Sequence, residues 1–261
     1  MNEDMASTYA ILGATGNCGS SLIQILLQNP NASIHAYCRN KAKLEKKLPN
    51  EVKDPRVQVF AGPISDERLL ADCIRGCKAI FLVVTMNDNL PGCRVAEDTA
   101  RGVVSVLKNM DPKPMPKIVV LSSATIDPHL SRNMPWWFHP IMIRAGSYVY
   151  DDLRVQEKFL REQEDWLTTI YIKPGGLAID QPRGYRLDFD RETSFIAYID
   201  LAAAMVEAVE DVDGRYDFRN VSVVNTGRSA AFPSGTPLCI LCGLLSHYFP
   251  WLHAYLPKSG S

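Results

Sequence analysis

The sequence predicts an α/β fold, a doubly wound parallel sheet covered by helices on both faces, followed by a small C-terminal extension. Over the first two-thirds of the chain, short β-rich runs alternate with longer amphipathic segments. The short runs are continuously apolar, as expected of strands that are buried on both faces. A glycine-rich segment also separates the first apolar run from the first amphipathic segment, which is typical of a βα turn.

The individual elements follow from these patterns. The predicted strands are 9–12, 34–38, 57–61, 79–84, 118–122, 169–172 and 221–224. The predicted helices are 17–28, 41–48, 66–75, 93–109, 148–163 and 201–210. Asp66 and Asp200 are expected to cap the N-termini of two of these helices, and Gly76 is placed to end the first of the two.

The 261 residues are predicted to form one domain, 1–261, with a core at about 7–172. Substrate-binding elements are expected at about 125–147 and 173–261. The tail 237–256 is apolar, but Pro250, His247 and His253 interrupt the length that a membrane span requires. A helix over the substrate pocket, a dimer contact and a monotopic membrane anchor remain open for it.

Composition narrows the class of partner. The net charge of −1 gives no basic surface for nucleic acid, so a small molecule is the expected partner. Seven cysteines, an odd number, and an acidic start at residues 1–5 favour a reducing compartment, and the cytoplasm is expected. The pairs Cys73/Cys77 and Cys239/Cys242 are expected to be buried thiols, with no metal site.

The first turn carries the pattern G-x-x-G-x-x-G, which indicates dinucleotide binding on a Rossmann-type sheet. Gly13 permits the tight turn, Gly16 lets the backbone approach a diphosphate, and Gly19 lets the helix pack against the strand. The intervening residues expected at the phosphates are Thr15, Asn17 and Cys18.

The residue after the second strand distinguishes the two nicotinamide dinucleotides. An acidic residue there would bind the ribose of NAD(H), but this chain carries Arg39, which suits the 2′-phosphate of NADP(H). Ser65 is expected near the adenine, and Val84 and Thr85 near the middle of the cofactor.

Together these motifs resemble the atypical short-chain dehydrogenase/reductase superfamily, in its NmrA-like branch. The resemblance also rests on Leu-Ser-Ser-Ala at 121–124, Lys-Pro-Gly-Gly-Leu at 173–177 and Tyr-Ile-Asp-Leu-Ala-Ala at 198–203. The segments 89–93, 148–153 and 243–256 are similar to averufin-oxidase-type proteins of fungal aromatic polyketide pathways. An aromatic polyketide substrate is implied, with the aromatic segments 136–138 and 248–251 as flat walls.

The resemblance also implies a catalytic tyrosine followed by a lysine four residues later. Here the match is Tyr150 with Arg154, because arginine stands where the lysine is usual. Ser122 or Ser123 would polarise the reacting oxygen, and His139 or His129 are alternative acid/base groups. Lys173, Pro174 and Gly175 are expected at the cofactor.

Three functions fit these residues. The first is an NADP(H)-dependent oxidoreductase acting on a ketone, quinone or hydroxyl group of an aromatic polyketide, as a monomer or homodimer. The second is a dehydratase, isomerase or cyclase without net redox change, which the missing lysine favours. The third is a dinucleotide-sensing regulator, as implied by the branch that the chain resembles.

Overall fold

The computed structural model describes residues 7–258, so the acidic start and the last three residues lie outside the described residues. Its strands are β1 (Ser7–Leu12), β2 (Ala32–Cys38), β3 (Val57–Ala61), β4 (Ala79–Leu82), β5 (Lys117–Leu121), β6 (Thr169–Ile172), β7 (Leu177–Ala178), β8 (Tyr185–Asp188), β9 (Ile196–Ala197) and β10 (Asn220–Asn225). Its helices are α1 (Asn17–Leu26), α2 (Lys41–Lys47), α3 (Glu67–Ile74), α4 (Val95–Met110), α5 (His139–Ala145), α6 (Ser147–Arg161), α7 (Tyr198–Glu210) and α8 (Thr236–Tyr248).

Eight strands form one sheet in the order β3-β2-β1-β4-β5-β6-β10-β8. All neighbours pair in parallel except β8, which runs antiparallel to β10. Strand order reverses between β1 and β4, so the loops after these strands diverge and leave a crevice at the carboxyl edge of the sheet. This arrangement confirms the predicted α/β class.

Two apolar clusters cover the two faces of the sheet. One face packs against α1 and α7, with fully buried Leu22 and Leu201, and the other against α3, α4 and α6. The strands contribute to both clusters, because successive side chains of a strand point to opposite faces. A strand that is covered on both faces is therefore continuously apolar, as the sequence pattern predicted for these strands.

Two predicted helix caps have different outcomes. Asp66 caps α3 as expected, its carboxylate accepting a hydrogen bond from Leu69 N at 3.0 Å. The prediction for Asp200 is wrong, because α7 begins at Tyr198, directly after β9. Asp200 instead lies buried in the first turn and accepts a hydrogen bond from Arg183 N at 2.7 Å.

The rear of the chain contains elements that the patterns missed, although a helix was one of the structures expected for the apolar tail. The irregular segment 127–146 contains α5, and the apolar tail folds into α8 and a 3-10 turn at Pro250–Tyr255. Strands β7, β8 and β9 have two to four residues each, too few to show a periodicity. Between residues 7 and 258, no helix combines the length and the apolar character needed to traverse a bilayer.

Helix α8 packs against α5 through a close backbone contact. A Cβ at Gly243 would overlap the carbonyl oxygen of Ala145. The buried side chain of Asn89 joins the same junction, because it donates to Gly243 O at 3.1 Å and accepts from Tyr148 N at 2.8 Å. The tail is therefore held against the loop after β4 and the start of α6.

We expect Gly243→Ala to lower the free energy of unfolding by about 1–3 kcal/mol, because the added methyl group would force α8 away from α5. Chemical denaturation followed by circular dichroism measures this change. Gly235→Ala is the matched control, since no atom lies within 4 Å of the added Cβ. Equal stability of the two variants would show that the helix contact adjusts without cost.

Candidate functional site

Two glycines at the turn between β1 and α1 occupy positions with no space for a side chain. Gly13 has a φ of +103°, which L side chains rarely adopt, and a Cβ there would lie 2.8 Å from Val83 O. A Cβ at Gly19 would overlap the carbonyl oxygen of Gly13. Gly16 precedes α1 without a side-chain cap, so the first N–H groups of the helix have no partner inside it. The turn therefore forms a cradle that fits a diphosphate.

The other predicted residues of this turn contribute in different ways. Thr15 and Asn17 are half-buried at its rim. The Cys18 side chain points into the core, its Sγ 3.6 Å from Met205 Sδ, so only its backbone can face a phosphate. Burial raises the pKa of the Cys18 thiol to about 12, which keeps it protonated.

Two side chains that the sequence did not indicate flank the turn. Lys47 Nζ, at the end of α2, lies 3.3 Å from Thr15 O and 2.7 Å from Asn17 Oδ1. Burial, with a contribution from Lys43, lowers the Lys47 pKa. Tyr198 hydrogen-bonds to Asn17 from the first turn of α7. Lys47 is one of five lysines between residues 41 and 53, and no spacing rule singles it out.

The remaining predicted cofactor residues lie after strands at the same edge. Arg39 follows β2 directly, is exposed, and forms no hydrogen bond or ion pair with another residue in the described part of the chain. Val84 and Thr85 lie in the loop after β4, which ends at Leu82 rather than at 84 as predicted. The others are Ser65 after β3, and Pro174 and Gly175 after β6.

The loop after β5 brings a hydroxyl cluster to Tyr150. The Tyr150 phenol, on α6, hydrogen-bonds to the side chains of Thr125 and Ser123. Ser123 Oγ accepts from Thr125 N at 3.2 Å and caps the 3-10 turn that carries Thr125. His139 Nε2 lies 2.9 Å from Thr125 O, at the start of α5. Three predicted residues thus meet around Thr125, which the sequence did not indicate.

The surroundings of Tyr150 keep its phenol protonated. Burial raises its pKa, while the hydroxyls of Thr125 and Ser123 and the charge of Arg154 lower it by less. Arg154 is exposed and also pairs with Asp151, Nη1 to Oδ1, at 2.8 Å. With a net raised pKa, the Tyr150 phenol is protonated at neutral pH, and the positive charge of Arg154 favours the phenolate form.

Ser122, the neighbour of Ser123, belongs to a separate buried network. Its hydroxyl donates to Glu157 Oε1, and Lys173 Nζ lies 2.8 Å from Glu157 Oε2 and 3.3 Å from Asp127 Oδ2. Asn220 Nδ2 also donates to Asp127 Oδ2, at 2.7 Å. The network fixes both ends of the segment 122–127 that carries the hydroxyl cluster.

These contacts correct two expectations. Ser122 was one of two serines expected to polarise a substrate, but successive residues at a strand end point in opposite directions, and its hydroxyl faces Glu157. Lys173 was expected at the cofactor, yet it is 3% exposed and lies between two carboxylates. His129 also lies apart from Tyr150, on the surface, with Nε2 3.0 Å from Asp190 Oδ1.

A cavity of about 360 Å³ lies beneath α8. Its walls are the loop after β4, the end of α5, the inner side of α8 and the chain after it. The described residues that line it include no Trp, Tyr or Phe, and Tyr150 is not among them. The cavity therefore borders the loop that carries Thr85 without reaching the hydroxyl cluster.

The aromatic segments do not form the expected walls. Trp136 is 86% exposed and Trp251 is 69% exposed, while Trp137 and Tyr248 also face solvent. Helices α5 and α8 approach each other through Ala145 and Gly243, and this small-residue contact leaves the bulky aromatic side chains outside.

The cysteine predictions are half correct. Cys73 and Cys77 are buried, and burial raises the pKa of the Cys77 thiol to about 12. Cys239 is exposed and Cys242 half-buried, so the expectation for that pair is wrong. Within residues 7–258, no group of His, Cys, Asp and Glu side chains is arranged to hold a metal ion.

A glycine cradle at the crevice of a parallel sheet defines a dinucleotide-binding protein of the Rossmann type. A family described as NAD(P)H-binding matches residues 13–212, and the chain belongs to this family. The fold is shared with a short-chain dehydrogenase/reductase from Veillonella parvula in complex with NADP. That likeness has a TM-score of 0.63 at 18% identity, over 88% of this chain and 100% of the other.

Fungal oxidoreductases are similar over nearly the whole length. Oxidoreductase GME11367 of Pestalotiopsis microspora is 57% identical, over 97% of this chain and 99% of the relative. Oxidoreductase AgnL4 of Paecilomyces divaricatus is 57% identical over the same shares, and oxidoreductase claK of Passalora fulva is 49% identical over 98% and 97%. The protein is an NAD(P)H-dependent oxidoreductase, and its fold is shared with short-chain dehydrogenases/reductases.

Proposed function

We propose that the protein is an NADP(H)-dependent oxidoreductase that acts on a ketone, quinone or hydroxyl group of an aromatic polyketide. The observation that carries this proposal is the arrangement of Ser123, Thr125 and His139 around Tyr150, built on the loop after β5. This loop and the glycine turn both follow parallel strands of one sheet, so they lie at the same carboxyl edge.

The side chains then have defined roles. When bound, the nicotinamide cofactor supplies or accepts the hydride. In the reducing direction, Tyr150 donates its proton to the substrate oxygen, and Ser123 donates a hydrogen bond that orients this oxygen. Arg154 stabilises the resulting phenolate electrostatically, in place of the usual lysine. His139 positions the Thr125 turn through its contact with the carbonyl oxygen.

Two cations support a preference for NADP(H). Arg39 is unpaired among the described residues and follows β2, where a 2′-phosphate would lie. Lys47 adds a second positive charge beside Thr15 and Asn17. Residues 37–44, from the end of β2 into α2, include no carboxylate that would repel a phosphate or bind a ribose.

The substrate class rests on the sequence resemblance and on the rear of the chain. We assign substrate binding to the elements at about 125–147 and 173–261, of which the Thr125 turn lies beside Tyr150. Seven free cysteines support a cytoplasmic location. A monomer and a homodimer both remain compatible with this function.

One set of assays separates this function from its alternatives. Purified protein is titrated with NADPH and NADH by fluorescence and then incubated with a panel of anthraquinone-type compounds. Cofactor consumption that matches product formation supports the proposal. Product without cofactor consumption would indicate a dehydratase, isomerase or cyclase, and cofactor binding without any turnover would indicate a sensor.

We expect Arg39→Asp to weaken NADPH binding by about 10- to 100-fold, because a charge-assisted hydrogen bond is lost and a repulsive charge is gained. NADH binding should change far less, because NADH lacks the 2′-phosphate. Lys46→Asp makes the same charge change on the exposed surface of α2 and serves as the control. Equal weakening of both cofactors by Arg39→Asp would refute the assignment of Arg39 to the 2′-phosphate.

A further inference from the structure

The lead-in to α5 and the chain from α8 onward expose large apolar side chains. Those of Trp136, Trp137, Leu241, Tyr248, Trp251 and Tyr255 are each more than half exposed, and we name them the tail surface. Such side chains in isolation are ordinary, but five exposed aromatic residues on α8 and on the segments that precede α5 and follow α8 are typical of an interaction site.

The helix pair that carries the tail surface is firmly attached to the rest of the protein. Gly243 of α8 packs against the backbone of Ala145 in α5. His247 Nδ1 lies 2.9 Å from the hydroxyl of Ser147, at the start of α6. Gly243 and Ser246 of α8 thus face inward and are buried, whereas the side chains of Leu241 and Tyr248 on the same helix are exposed.

The two segments that carry the tail surface contain cations and no carboxylate, and Asp88 of the loop after β4 borders the cavity beneath α8 together with Lys258. Segments 128–150 and 227–258 contain no Asp or Glu, although the chain has 29 acidic residues in 261. They carry four exposed cations, which are Arg132, Arg144, Arg228 and Lys258. Arg132 and Arg144 donate to the backbone carbonyls of His129 and Pro140, and neither pairs with a described carboxylate.

We propose that the tail surface binds the headgroup region of a membrane that contains anionic phospholipid. Exposed Trp and Tyr side chains prefer the boundary between water and acyl chains, and neighbouring cations are attracted to anionic headgroups. Helix α8 has 13 residues and lies along the bilayer surface rather than across it.

Charge favours lipid over a second copy of this chain. A symmetric dimer brings the same patch of both copies together, so the four cations of one copy would face those of the other. Like charges oppose such a contact, whereas an anionic bilayer offers the complementary charge. The apolar side chains alone would fit either partner.

Vesicle co-sedimentation tests the proposal with the full chain. We expect binding to vesicles of phosphatidylcholine with about 30 mol % phosphatidylserine to exceed binding to phosphatidylcholine alone by about tenfold. Raising the salt concentration to about 0.5 M should weaken this binding, because salt screens the charges. A blue shift of tryptophan fluorescence on vesicle addition would report burial of the exposed indoles.

The double variant Trp136→Ser/Trp251→Ser should bind the anionic vesicles about tenfold less tightly, because two interfacial side chains are lost. Val212→Ser is the matched control, since Val212 is 97% exposed but lies between α7 and β10. Circular dichroism and NADPH titration verify that each variant is folded.

Three results would overturn the proposal. The first is that the wild-type protein does not bind anionic vesicles. The second is that Val212→Ser loses as much vesicle binding as the double variant. The third is that the wild type is a dimer and the double variant a monomer, while the two bind vesicles equally. The last result would assign the tail surface to contact between copies. All three are independent of whether the enzyme reduces a polyketide.

Discussion

Tyr150→Phe is expected to lower kcat by about 10²- to 10⁴-fold, with little change in the Kd for NADPH. The substitution removes the proton that Tyr150 holds against Ser123 and Thr125, while the aromatic ring still fills its half-buried position on α6. The glycine cradle after β1 is unaltered, so cofactor binding should persist. Following the nicotinamide absorbance during turnover, together with fluorescence titration of NADPH, measures both quantities.

Tyr148→Phe is the matched control for this prediction. Tyr148 lies two residues earlier on the same helix, where its backbone N–H donates to Asn89 Oδ1. Removal of its hydroxyl should leave kcat within about twofold of the wild-type value, because this side chain has no assigned part in proton transfer. Full activity of Tyr150→Phe would remove Tyr150 from the mechanism, even if NADPH binding and the oxidoreductase activity are confirmed.

Lys173→Met is expected to lower the free energy of unfolding by about 3–5 kcal/mol, the largest stability effect that we predict. The substitution removes the cation between Glu157 and Asp127 and leaves two buried carboxylates without a positive charge beside them. Chemical denaturation at neutral pH measures the loss. Lys158→Met, on the exposed surface of α6, should change stability by no more than about 0.5 kcal/mol.

The pH dependence of the free energy of unfolding distinguishes the loss of charge pairing from the loss of packing in Lys173→Met. In the wild type, burial raises the Asp127 pKa, but hydrogen bonds from Leu130 N and His129 N and the Lys173 charge outweigh burial and lower it. Asp127 therefore stabilises the fold above its ordinary pKa, and this stability is lost as pH falls through the lowered folded-state pKa. In Lys173→Met, acidification should instead restore part of the stability, because a protonated carboxyl is less costly to bury. A loss that is independent of pH would indicate packing alone.

Most of the sheet and the cofactor cradle could be predicted from the sequence. Strands such as β1 and β5 are continuous apolar runs, and Gly13, Gly16 and Gly19 lie within seven residues of one another, so local sterics determine their turn. Proximity along the chain thus places the backbone N–H groups without help from distant residues. Arg39 could also be identified from local sequence, because it directly follows the apolar run of β2, which ends at Cys38.

The catalytic region was only partly predictable. The sequence singled out Tyr150 and Ser123, which the structure brings together, but Thr125, which contacts both, carries no sequence signal of its own. Lys47 was missed for a similar reason, since its contact with Asn17 joins residues that are 30 positions apart. Such contacts depend on how α2 and α6 pack, which composition and periodicity do not determine.

The sequence by itself determined the α/β sheet, the glycine turn and the identity of the groups available for proton transfer, because these follow from local periodicity, backbone sterics and side-chain chemistry. The tertiary structure alone decided that Ser122 and Lys173 belong to a buried network, while Ser123 reaches Tyr150. It also decided that the aromatic side chains of the tail face outward. Neighbouring residues in a strand end point to opposite sides, and only the packing of distant helices determines which side is buried.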